Sequence, residues 1–118
     1  MIDVSLYLEI FDLFRFRYDP PVLGIVAERP HRFRELVSQL EIHVAGHVDD
    51  NAVDRSLKRL ARVKHVVKAE TNVGNRSVSI YTITAAGCRS LRVYAGFVDA
   101  YRTMNAQDGR AGPGGGVA

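Results

Sequence analysis

The stretch Asp49–Thr84, DDNAVDRSLKRLARVKHVVKAETNVGNRSVSIYTIT, decides the fold. In its first half Val53, Leu57 and Leu60 recur at spacings of four and three, one apolar stripe on a helix predicted from Asp50 to about Val63. Asp49 is placed to cap that helix. Its other positions are mostly polar: Asp50, Asn51, Asp54, Arg55, Ser56, Lys58, Arg59 and Arg62. The second half predicts a hairpin. Residues 65–70 form a valine-rich strand, residues 71–76 (Thr-Asn-Val-Gly-Asn-Arg) are turn material, and residues 77–83 alternate as a second strand. Thr84 can cap a further helix reaching about Met104, with Leu91, Tyr94, Ala95, Val98 and Tyr101 on one face.

Upstream, three more helices are expected. Leu6, Ile10, Leu13 and Phe14 mark one from Ser5 to about Arg17, with Tyr7, Phe11 and Tyr18 as a second apolar line. That face fits either a buried core helix or contact with another subunit. Asp19-Pro20-Pro21 reads as an N-cap with proline at the first helical position; Val22, Leu23, Ile25 and Val26 follow, and Arg29-Pro30 stops the helix. A short third helix runs from Arg32 to Leu40, burying Phe33, Leu36, Val37 and Leu40. Residues 41–48 lack a period and contain Gly46, so a loop is expected there, with His31 as a turn residue.

The order of elements gives an α+β, mainly α fold: a winged helix-turn-helix with a two-stranded β-hairpin wing and flanking N- and C-terminal helices. It occupies residues 1–104; residues 105–118, rich in glycine and without apolar period, are expected to be a disordered tail. A length of 118 residues leaves room for one such domain, and 47% apolar with 25% charged residues is an ordinary globular balance. No apolar run approaches the roughly 20 residues that span a bilayer, and the first residues lack the basic region of a secretory leader. Cys88 stands alone, which excludes an intrachain disulfide or a cysteine-rich zinc site and fits a cytoplasmic protein.

Several segments resemble the HxlR family of winged-helix transcriptional regulators. Arg32-Phe33-Arg34-Glu35-Leu36 resembles its Arg-Phe-x-Glu-Leu signature, and residues 81–87 (Tyr-Thr-Ile-Thr-Ala-Ala-Gly) its Tyr-x-Leu-Thr-x-x-Gly. Val48, Val53, Leu57 and Leu60 fit the family's apolar register. The likeness runs from about Ile10 to Tyr101. Tyr18 stands where the family has Trp, Lys64 where it has Gly, and the segment 41–47 is longer than usual. The resemblance implies a homodimeric DNA-binding regulator that dimerises through its first and last helices. Both helices are also more apolar than one small core needs, which makes Phe11, Phe14, Leu91, Tyr94, Val98 and Tyr101 the interface candidates.

The charge is uneven in a way that suits nucleic acid. Residues 1–28 hold two arginines against five acids, residues 29–76 ten cations against six acids, and residues 77–118 four arginines against two acids. Arg55, Lys58, Arg59 and Arg62 supply cations on the fourth helix; Asn51 can read adenine and Arg55 guanine through bidentate hydrogen bonds. Asn75 and Arg76 lie at the wing tip for a minor groove or backbone, and Arg32 and Arg34 can reach phosphates. Arg34 can equally pair with a carboxylate, and Lys58 with Asp54.

Against this, Asp49, Asp50 and Asp54 crowd the entrance of the fourth helix. They leave open a module that binds protein in place of DNA; an effector-responsive regulator is a further reading. No phosphate loop, nucleophile motif or catalytic pair is visible, so an enzyme is not expected. His43 and His47, four apart but without a nearby third ligand, do not make a metal site, and no cofactor is expected. Cys88, just inside the last helix, reads as a buried thiol. The preferred reading is a homodimeric regulator of double-stranded DNA, with the fourth helix in the major groove and an inverted-repeat operator.

Overall fold

The computed structural model describes residues 1–107. The elements are α1 (Val4–Leu13), α2 (Asp19–Glu28), β1 (His31–Arg32), α3 (Phe33–Val44), α4 (Asp50–Arg62), β2 (Val66–Val73), β3 (Arg76–Ile83) and α5 (Ala85–Gln107). α2 is the hub. Its Val22, Leu23, Ile25 and Val26 are all buried, and it packs against α3, α4, α5 and β3. A helix apolar on all sides belongs in an interior. Leu36, Val37 and Leu40 of α3, Val53, Leu57 and Leu60 of α4, and Val48, Val66 and Tyr81 complete the core.

The sheet has three strands in the order β1-β3-β2, not the two of a bare hairpin. His31 and Arg32 pair with Tyr81 and Ile80. His31 is therefore a buried strand residue and not a turn residue; its ring Nδ1–H donates to the carbonyl of Arg29 at 2.7 Å. Arg32 precedes α3 as its N-cap residue. Having no side-chain acceptor, it leaves the cap to Glu35, whose Oε1 accepts from the Arg32 backbone N–H at 2.9 Å. β2 and β3 form a ladder from Val66↔Ile83 to Val73↔Arg76. The expected six-residue turn shrinks to Gly74-Asn75, with Gly74 at φ +64 in the first central position of the tight hairpin. After Val66 every residue of β2 is exposed, so the wing projects from the core.

Other boundaries differ too. α3 continues through Val44, where a loop was expected, and ends on Ala45 at φ +59. The true connection to α4 is held by Glu41, whose Oε2 accepts from the Val48 N–H at 3.1 Å. α1 stops at Leu13, short of Arg17. α5 runs on to Gln107, so residues 105–107 are helical and not tail; the rest of the expected tail lies outside the described residues. Cys88 is exposed, not buried.

Between α4 and α5 the backbone is tightly set. α4 ends in a Schellman turn: the His65 N–H bonds to the Leu60 carbonyl at 2.8 Å and the Lys64 N–H to the Ala61 carbonyl at 3.0 Å, with Lys64 at φ +63. Lys64 thus adopts the left-handed conformation that glycine takes at most such ends. Thr84 then donates its hydroxyl to the Lys64 carbonyl at 2.6 Å and accepts from the Gly87 N–H at 3.0 Å, capping α5 as expected. A Cβ on Gly87 would lie 2.2 Å from the carbonyl oxygen of His65.

This contact reverses the usual rule for glycine in a helix. Propensity alone favours Gly87→Ala by about 1 kcal/mol, but the clash is with backbone that two hydrogen bonds hold in place. Gly87→Ala is expected to destabilise the protein by about 1–3 kcal/mol, the usual cost of overpacking, as a lower urea midpoint. An unchanged or higher midpoint would show that the α4–α5 junction yields freely.

Candidate nucleic-acid interface

α4 has two faces. Val53, Ser56, Leu57 and Leu60 are buried. Asn51, Arg55, Lys58 and Arg62 are exposed, and their spacing of four, three and four puts them on one line. At about 100° per residue these four fall within an arc of about 60° on the side away from the core. The core contact therefore decides which side chains face outward.

The acids at the helix entrance have defined partners. Asp49 accepts from the Asn51 N–H at 3.3 Å and caps the helix as expected. Asp50 receives both terminal nitrogens of Arg34, at 2.6 and 3.3 Å, joining α3 to the first turn of α4. The Arg34 hydrogen bonds hold the Asp50 carboxyl below its ordinary pKa, and Asp50 in turn raises that of Arg34. Asp54 meets Lys58 at 2.9 Å. Both residues of that pair are well exposed to water, so the bond is weak and Lys58 can exchange it for a phosphate.

Apart from Arg59, the other expected contact residues lie outside α4. Arg32 is exposed in β1, and Arg34 is exposed but occupied by Asp50. Asn75 and Arg76 are exposed at the wing tip. On the wing's flank Ser79 and Ser77 donate to Glu70 at 2.7 and 2.8 Å, and these bonds hold its carboxyl below the usual range.

Arg59 does not join the outward cations. Its guanidinium turns toward α2 and binds Asp19, with NH2 at 2.8 Å from Oδ1 and Nε at 3.2 Å from Oδ2. It also lies 3.8 Å over the ring of Phe16. Ser56 donates to the same carboxylate at 2.5 Å. Asp19 is thus the first residue of α2 and not its N-cap; Tyr18 holds the cap position without a side-chain bond. This cluster joins residues about forty positions apart and leaves no short-range pattern in the sequence. Ser56 was the available signal: a hydroxyl in line with Val53, Leu57 and Leu60 needs a buried partner.

The interface candidates divide. Phe11, Phe14, Val98 and Tyr101 are exposed, between 42% and 64%. Leu91 and Tyr94 are half-buried against the core instead. Tyr94 donates its hydroxyl to the Leu13 carbonyl at 2.8 Å, and Phe14 stands edge-on to Tyr94 and Phe97 at 5.3 and 5.1 Å. α1 has no buried residue.

A helix-turn-helix on a buried hub helix, followed by a β-hairpin wing whose sheet β1 completes, is a winged-helix fold. Solved structures agree. The chain is similar to the transcriptional regulator YodB from B. subtilis in its reduced form, at a TM-score of 0.68 and 18% identity over 93% of this chain and 100% of that one. It is similar to a MarR-family protein from Enterococcus faecalis at 0.75 and 12%, over 94% and 96%. It is also similar to B. subtilis PadR in complex with operator DNA, at 0.60 and 17%, over 67% of this chain; it spans 46% of that PadR's length. At these identities the likeness establishes the fold. No family model and no curated protein matches the sequence. No described helix is long and apolar enough to cross a membrane.

The Arg34–Asp50 pair predicts a pH dependence. A carboxyl whose folded pKa is lowered adds stability above its unfolded pKa, about 3.9 for aspartate, and loses it as pH falls through the folded value. Asp50→Asn is expected to lower the urea midpoint at pH 7, with the gap from the parent closing below about pH 4. A gap that is constant with pH would assign the effect to something other than the ionised pair.

Proposed function

We propose that this chain is a sequence-specific DNA-binding transcription regulator that acts as a homodimer, with α4 in the major groove and the wing on the minor groove or backbone. The observation that carries this reading is the exposed line Asn51, Arg55, Lys58 and Arg62, set opposite the core stripe of α4. An amide and three cations on one helix face combine base readout with phosphate attraction. The likeness to a PadR solved with operator DNA supports it. Engagement of Asp49, Asp50 and Asp54 weakens the case for a module that has lost DNA binding. The Arg-Phe-x-Glu-Leu and Tyr-x-Leu-Thr-x-x-Gly resemblances favour the HxlR family. A regulator of this kind works in the cytoplasm.

The homodimer rests on apolar surface. α1 exposes Val4, Leu6, Tyr7, Leu8, Phe11 and Leu13, Phe14 is exposed at its C-cap, and α5 exposes Val93, Phe97, Val98, Tyr101 and Met104. So much apolar area on helices reaching away from the core fits a second copy of the chain.

Two measurements test this. Arg55→Ala is expected to weaken binding to a selected duplex by about 1–3 kcal/mol if Arg55 reads a guanine, with Arg76→Ala costing less. Parent-like affinity in both would remove α4 and the wing as the readers. In sedimentation the parent is expected as a dimer, and Phe11→Asp with Val98→Asp as a folded monomer of weaker DNA affinity. A monomeric parent would overturn the dimer.

A further inference from the structure

The Asp19 cluster has a poor design for stability and a good one for geometry. Its side chains are withdrawn from water, Asp19 to 13% and Arg59 to 22% exposure, and Ser56 is fully buried. Desolvating an ion pair costs about as much as its attraction returns. What the pair supplies is direction. A planar guanidinium with two N–H groups on two carboxylate oxygens permits one relative orientation of α2 and α4. The neighbouring contacts of Val53, Leu57 and Leu60 are apolar and non-directional, and they tolerate a small roll of the helix.

Such a roll leaves the core intact but misaims the outer face. A turn of about 10° carries a side-chain tip about 6 Å from the helix axis through roughly 1 Å, enough to stretch a hydrogen bond of about 2.9 Å past its limit. The cluster holds α4 at two points, Ser56 and Arg59, on the flank between the core stripe and the outward line. Phe16 closes it from the α1–α2 connection.

We infer that Asp19 is a positioning residue for DNA recognition, its carboxylate holding Ser56 and Arg59 so that α4 presents Asn51, Arg55, Lys58 and Arg62 in register with base edges. This rests on the DNA-binding reading above. It makes a prediction opposite in sign to simple electrostatics. Removing a negative charge from a DNA-binding surface tightens binding to any duplex. Loss of a positioning contact lowers the preference for the right duplex.

The test uses the full chain, a duplex that the parent selects from a random pool, and a scrambled duplex of equal length. The readout is the ratio of the two affinities at fixed salt. Asp19→Asn is expected to lower that ratio by at least about tenfold, the size of one lost base contact. Arg59→Lys keeps the charge but lacks the planar fork, and is expected to lower it comparably. Because Arg59→Lys leaves net charge unchanged, it keeps the test decisive should Asp19→Asn fail to fold. A parent ratio retained by the folded variants, including a parallel loss on both duplexes, would overturn the positioning role alone. A parent that selects no duplex would overturn the DNA-binding reading and this inference with it.

Discussion

The burial of Val53, Leu57 and Leu60 against the hub helix α2 is the contact on which the rest of this structure depends. Each large apolar side chain removed from water contributes about 1.5–3 kcal/mol. In a chain with so small a core, that stripe holds α4 to the molecule. It also assigns the opposite side of the helix to solvent. Asn51, Arg55, Lys58 and Arg62 are outward because the apolar residues three and four positions away are inward. The core stripe and the outward polar line are thus two consequences of one helical period.

Polar contacts refine what the apolar stripe sets coarsely. Arg34 and Asp50 join the two helices of the helix-turn-helix at the first turn of α4, and Asp19 holds its middle through Ser56 and Arg59. Thr84, the Schellman turn at Lys64 and the close approach of Gly87 to His65 then lock the far end of α4 to α5. α4 is consequently held at its start, middle and end, while α1 and the distal half of α5 share little of that core. Their exposed aromatic and aliphatic side chains are the part of the molecule that one copy of the chain does not bury.

Much of this was legible in the sequence because it is periodic and local. The stripe of α4, the caps at Asp49 and Thr84, the all-round apolar character of α2 and the alternation of the hairpin are short-range signals. What escaped is long-range. β1 has two residues, and its identity depends on Tyr81 some fifty positions away. The extension of α3 to Val44 and the wing ladder beyond Glu70 run through residues with no period of their own. Arg59 looked like one more cation on a basic helix because its partner, Asp19, is forty residues upstream and looked like a cap. Of the expected contact residues, Arg32, Asn51, Arg55, Arg62, Asn75 and Arg76 are exposed, whereas Lys58 meets Asp54, and Arg34 and Arg59 are held by Asp50 and Asp19.

The most direct test of the central claim is selection of DNA fragments by the purified protein at near-physiological salt, followed by sequencing. A pair of outward-facing α4 helices on a two-fold axis predicts an enriched inverted repeat with half-sites about one helical turn, roughly 34–36 Å, apart. Folded protein that enriches no sequence would contradict the account.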